Sequence, residues 1–172
     1  QKTPIQVSSL TDVTSVASGD GSYSVVLKRN GTVFAWGANN HGQLGDGTTI
    51  QRLTPVQVIE LNDVVQISVS IYTTYALKRD GTVYAWGANN KGQLGDGTTI
   101  QKSTPIQIIG LTDVINIEGS YALTRDGSMY AWGDNASGQL GDNTITGPRL
   151  TPGKVLKGSV VREGLYLTHG YS

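Results

Sequence analysis

One block of residues is written three times along this chain, as Thr32-Val33-Phe34-Ala35-Trp36-Gly37-Ala38-Asn39-Asn40-His41-Gly42-Gln43-Leu44-Gly45-Asp46-Gly47, then over residues 82–97 and 128–143. Its tryptophans, Trp36, Trp86 and Trp132, recur at intervals of about fifty residues, a period that belongs to propellers and other repeat arrays rather than to an irregular core. A packing device is needed in every repeat, whereas a catalytic group is needed once. The repetition therefore argues for architecture and against an enzyme.

Each unit reads as four strands. Val64-Val65-Gln66-Ile67 is a short β-branched run (strand A), followed after a polar loop by Tyr75-Ala76-Leu77-Lys78 (strand B). Asp80-Gly81 then leads into Thr82-Val83-Tyr84-Ala85-Trp86 (strand C). A dipeptide of this kind between apolar runs predicts a tight hairpin with both turn positions at positive φ. After a long Gly/Asn-rich connection, Thr104-Pro105-Ile106-Gln107-Ile108 resumes the alternation, and its proline, lacking a donor, suits an edge strand (D). In strand C the residues Phe34 and Trp36 fall on one face with Val33 and Ala35 on the other, so both faces are apolar and must be sandwiched between neighbours. Four antiparallel strands per fifty-residue unit predict an all-β chain, a partial β-propeller.

The expected units are an outer strand of a preceding blade over residues 1–9, blades over 10–58, 59–108 and 109–155, and a partial blade over 156–172. About three and a half blades cannot close a ring, because propellers need roughly four to eight. The expectation is a piece of a longer chain or a homo-oligomer that completes the propeller. The first residue is Gln1 rather than a methionine, which points to a processed or excised piece.

The composition limits the chemistry. Thirteen basic and thirteen acidic residues leave zero formal charge, which disfavours a nucleic-acid partner. Without cysteine there is no disulfide, thiolate nucleophile or cysteine metal cluster, and no apolar stretch predicts membrane insertion.

The run Tyr84-Ala85-Trp86-Gly87-Ala88-Asn89-Asn90-Lys91-Gly92-Gln93-Leu94-Gly95, followed by Thr104-Pro105, resembles the regulator of chromosome condensation repeat family over essentially the whole chain. Kelch repeats would carry a double glycine after the second strand, and WD repeats a Trp-Asp pair. The resemblance implies a propeller, seven-bladed in the best-known members. Those members exchange nucleotide on the small GTPase Ran and bind chromatin, while bacterial relatives include a secreted β-lactamase inhibitor and surface proteins. The near-identity of the first two units, down to Asp46-Gly47-Thr48-Thr49-Ile50-Gln51 and its copy at 96–101, is similar to the bacterial branch, for which a secreted or cell-surface location is favoured over a cytoplasmic one without being fixed by the sequence. No protruding exchange wedge is recognisable.

Conspicuous motifs have structural readings. Trp36, Trp86 and Trp132 are expected between blades, and Leu44, Leu94 and Leu140 of Gly-Gln-Leu-Gly as anchors flanked by turn glycines, since the lysine and helix of a phosphate loop are missing. Asp46-Gly47-Thr48 lacks the alternating carboxylates of a calcium loop and reads as a hydrogen-bonded turn; Asn39, Asn89 and Asn135 read as backbone caps. The two histidines, His41 and His169, do not build a triad or a metal site. No cofactor, metal or catalytic residue is expected.

Recognition in repeat proteins falls to positions that differ between units. The D–A connections barely vary, but the A–B loops do, from Gly19-Asp20-Gly21-Ser22-Tyr23-Ser24 through Val69-Ser70-Ile71-Tyr72-Thr73-Thr74 to Glu118-Gly119-Ser120-Tyr121. In an up-and-down blade these loops share a face with the C–D loops. A protein-binding surface is expected there, built from Tyr23, His41, Arg52, Tyr72, Lys91, Lys102 and Tyr121. The expected role is that of a non-enzymatic interaction module: a scaffold, an inhibitor or a surface-binding protein. The alternatives are an exchange-factor-like regulator of a small GTPase and a self-assembling structural array.

Overall fold

The computed structural model describes residues 3, 6–7, 9–20 and 22–156. Three four-stranded antiparallel sheets follow one another along the chain, each a simple meander in sequence order. The first contains β1 (Val13–Gly19), β2 (Tyr23–Lys28), β3 (Val33–Gly37) and β4 (Arg52–Gln57). The second contains β5 (Val64–Ser70), β6 (Thr73–Lys78), β7 (Val83–Gly87) and β8 (Lys102–Gln107). The third contains β9 (Val114–Glu118), β10 (Tyr121–Thr124), β11 (Met129–Gly133) and β12 (Arg149–Lys154). These are propeller blades, and Pro55, Pro105 and Pro152 all sit in the edge strand of theirs. Of residues 1–9, expected as a strand before the first blade, only Thr3, Gln6, Val7 and Ser9 are described, outside any strand, and the half blade with His169 lies outside the described residues apart from Leu156.

The B–C turns differ from expectation. Only the glycines take positive φ, Gly31 at 80°, Gly81 at 84° and Gly127 at 79°. Lys28 N–H donates to the Thr32 carbonyl at 2.9 Å, and Gly31 N–H to the Lys28 carbonyl at 2.9 Å. This is a type I turn closed by a glycine bulge rather than a two-residue turn. The residue before the glycine is free to use its side chain: Asp80 Oδ1 accepts from Thr82 N–H at 3.0 Å and from Thr82 Oγ1 at 2.6 Å.

The core lies between blades. One cluster joins Val25, Leu27, Val33, Ala35, Leu44 and Val58 to Leu61, Val64, Ile67 and Trp86 of the next sheet. A second joins Tyr75, Leu77, Val83, Leu94 and Ile108 to Leu111, Val114, Ile117 and Trp132. Trp86 and Trp132 are 0% exposed, and their indole N–H groups donate to the carbonyls of Gln43 (3.0 Å) and Gln93 (2.7 Å) in the preceding blade. Trp36, against which the described residues place no earlier sheet, is half-buried. The C–D loop also clasps the next edge strand: Gly47 N–H donates to Ser103 O at 3.0 Å and Gly97 N–H to Leu150 O at 2.9 Å. Leu53, the counterpart of Ser103 and Leu150 in the first blade, is 86% exposed.

Candidate functional site on the loop face

One buried asparagine ties each C–D loop together. The two Nδ2 hydrogens of Asn39 are shared among Asp46 Oδ1 (3.2 Å), Thr48 O (3.1 Å) and Ile50 O (3.1 Å), while its Oδ1 accepts from Leu44 N–H at 3.0 Å. Asn89 repeats all four contacts. Leu44, Leu94 and Leu140 are buried beneath, as anchors should be. Burial opposes ionisation of Asp46, but hydrogen bonds from Thr48 and Arg52 outweigh it and hold the carboxyl below the usual range. Among the described residues no cluster of His, Cys, Asp or Glu could hold a metal ion, and no helix is long and apolar enough to cross a membrane.

The A–B and C–D tips do share one end of each blade. Ala38 N–H donates to Ser22 O at 2.9 Å, and Ala88 N–H to Tyr72 O at 2.9 Å. The basic pairs Lys28-Arg29 and Lys78-Arg79 stand at the opposite end, where Lys28 Nζ lies 5.7 Å from the Phe34 ring and Lys78 Nζ 5.7 Å from that of Tyr84.

Three of the seven expected contact residues meet at one cleft of about 730 Å³ on the loop face, where the second blade adjoins the third. His41 and Tyr72 lie against each other with ring centroids 4.9 Å apart and planes tilted by 33°, and exposed Lys91 lines the same cleft. Ile71, Asn90, Gln93, Gln101, Ser120 and Asp134 are among the other residues that line it. The sequence reading missed these six, although the unequal length of the A–B loops was the signal for the cleft.

The other expected contacts are elsewhere. Tyr23 is 2% exposed and belongs to the core; its hydroxyl donates to Thr73 O at 3.1 Å and lies 3.3 Å from Thr74 Oγ1, so it cannot be a surface contact. Burial pushes its phenol well above the ordinary tyrosine range. Arg52 is committed to Asp46 in a 2.6 Å ion pair, as Arg149 is to Asp142 at 2.7 Å. Lys102 takes the register position of Arg52, opposite Gly87 as Arg52 is opposite Gly37. Tyr121 is half-buried and donates to Gln139 O at 2.9 Å. It matches Tyr75, which donates to Gln93 O at 2.9 Å, because Tyr121 pairs with Ala131 and Tyr75 with Ala85. Tyr23, Tyr72 and Tyr121 are therefore not equivalent.

Fold and face together define a β-propeller repeat array with a recessed loop surface. The profile described as the regulator of chromosome condensation (RCC1) repeat matches residues 30–77 and 80–124, and a second profile of that description matches 13–43, 64–93 and 119–139. The chain belongs to this repeat family. Among solved structures it is similar to Prp20p of Saccharomyces cerevisiae, described with its binding to Gsp1p and histones, at a TM-score of 0.75 and 19% identity, covering 88% of this chain and 40% of that one. Human WBSCR16 matches at a TM-score of 0.73 and 24% identity, over 84% of this chain and 38% of that one. Yeast RCC1 (Prp20), solved with Kap60 bound to it, gives a TM-score of 0.70 and 24% identity, over 83% and 37%. Ras guanine nucleotide exchange factor C of Dictyostelium discoideum is 38% identical over 53 residues, which are 31% of this chain and 4% of that protein. The chain thus spans well under half the length of each of these relatives.

Proposed function

We propose that this propeller segment is a non-enzymatic interaction module that binds a protein partner on the face carrying its A–B and C–D loops. The observation that supports this reading is the cleft in which His41, Tyr72 and Lys91 converge. Its walls come from loops held by internal hydrogen bonds, so a partner meets a preformed surface and little ordering cost. Tyr72 is of a residue type that anchors interfaces, and Lys91 offers a cation that an aromatic ring can cover. The reading is tested with photo-crosslinking side chains placed at positions 72 and 91, and as controls at 29 and 79 on the opposite end. Adducts with the same partner from 72 and 91 alone support it; adducts from 29 and 79 alone overturn it.

Two other readings rest on observations of their own. Similarity to Prp20p and to an exchange factor supports regulation of a small GTPase, which predicts accelerated release of labelled GDP from a purified GTPase. The outer face of the first blade, with Val16 73% and Leu53 86% exposed, supports self-association into a larger ring, which predicts a mass above that of one chain in light scattering.

A further inference from the structure

The cleft exists because the third blade is built with part missing. In the second blade the A–B hairpin stays paired out to Val69↔Thr74 and Ser70↔Thr73, and in the first out to Gly19↔Tyr23. In the third, β9 and β10 end at Glu118↔Tyr121, and Tyr121 stands at the level of Tyr75, so the hairpin is two cross-strand pairs shorter. The missing tip leaves a backbone donor without its acceptor. Where Ala38 and Ala88 donate to Ser22 O and Tyr72 O, the N–H of the equivalent Asp134 has no acceptor among the described residues. The space beside it is open as well. A Cβ on Gly37 would lie 2.5 Å from Ser22 O and one on Gly87 2.2 Å from Tyr72 O, but on Gly133 it would meet nothing nearer than Gln93 Cα at 3.5 Å.

The second blade shows what belongs in that space. A single residue there, Tyr72, does two things: its carbonyl accepts from Ala88 N–H, and its ring packs at a tilt against His41 of the preceding blade's C–D loop. One blade further on, the counterpart of Ala88 is Asp134, and the counterpart of His41, two residues after the buried asparagine, is Lys91. Lys91 is exposed and has no ion-pair partner among the described residues. Asp134 Oδ1 accepts from Ala136 N–H at 3.2 Å.

We propose that the cleft beside Gly133 and Asp134 receives an extended segment of the partner polypeptide carrying an aromatic residue. Its carbonyl accepts from Asp134 N–H, and its ring covers Lys91. The guest completes a hairpin end that the third blade lacks, so affinity comes from backbone pairing and selectivity from a cation held against a ring. This rests on the loop-face reading above and gives it a ligand class.

The probe is a capped peptide with the sequence of residues 70–74, titrated into the protein while backbone amides are followed by NMR. The Asp134 amide is expected to shift in a saturable way. Replacing the peptide's tyrosine by alanine should weaken binding about five- to tenfold, and Lys91→Ala about fivefold. Inserting residues 70–73 between Gly119 and Ser120, which fills the cleft with the chain's own tip, should abolish binding; Lys91→Ala keeps the test decisive if that variant does not fold. An unmoved Asp134 amide, equal binding of the alanine peptide, or wild-type affinity in Lys91→Ala would overturn the proposal. If the peptide fails while a partner still protects the loop face, the ligand class falls and the face stands.

Discussion

Truncating Trp86 separates the between-blade account of the repeated tryptophans from any reading of them as binding platforms. Trp86 is fully buried, belongs to the cluster joining the first two blades, and donates to Gln43 O. Trp86→Ala removes a large packed ring and should cost about 3–5 kcal/mol. The Gln43 carbonyl adds little to this, because Thr74 Oγ1 still donates to it at 2.9 Å. Trp86→Phe keeps much of the ring and loses the indole N–H, a loss of about 1 kcal/mol for the hydrogen bond. Trp36 holds the same place in its blade but is half-buried with no described sheet against it, so Trp36→Ala should cost clearly less, about 1–2 kcal/mol. Urea unfolding followed by circular dichroism reads all three as midpoint shifts. Equal losses from Trp36→Ala and Trp86→Ala would refute the reasoning, since burial between described blades is the only difference it invokes.

Other consequences are open to measurement. Asn39→Ala removes a buried amide whose two N–H hydrogens and carbonyl oxygen tie one loop together, and should lower stability by about 2–3 kcal/mol in thermal unfolding. Gly87→Ala forces a Cβ to 2.2 Å from Tyr72 O at a φ of 104°, whereas Gly133→Ala meets only the strain of a φ of 85°; the first should unfold at a distinctly lower temperature than the second. A pair of similar melting temperatures would contradict the open space beside Gly133. Asp46, Asp80, Asp96, Asp126 and Asp142 are all held below the ordinary 3.8, Asp126 by hydrogen bonds from Thr124 and Ser128 to about 2. Carboxyls with lowered folded values stabilise fully above the unfolded value and lose that contribution as pH falls through the folded one. The melting temperature should therefore hold down to about pH 4 and drop between there and pH 2, less steeply in Asp126→Asn.

The blades were legible because their signals are local and repeated. Alternation set both faces of β3, β7 and β11 as apolar, and the recurrence of Trp, Leu and Asn at fixed offsets marked parts every blade needs. The turn type was not legible, since Asn-Gly and Asp-Gly suit both a two-residue turn and a glycine bulge. The site was only half legible. Letters in the A–B loops align Tyr23 with Tyr72 and Tyr121, but strand pairing aligns Tyr23 with Thr73 and Tyr121 with Tyr75, because the hairpins differ in length. Side-chain direction in a strand follows register, so an unseen length change sends one tyrosine into the core and leaves another on the surface. The ion pair that removes Arg52 from the surface depends on a C–D loop folding back on its own strand, which pattern alone does not show.

The most direct test of the account is a hydrogen-exchange difference map of the protein with and without its crosslinked partner. Protection confined to residues 70–73, 89–93 and 133–139 is the predicted result. Protection at the B–C turns around Gly31, Gly81 and Gly127, with the loop face unchanged, would contradict it.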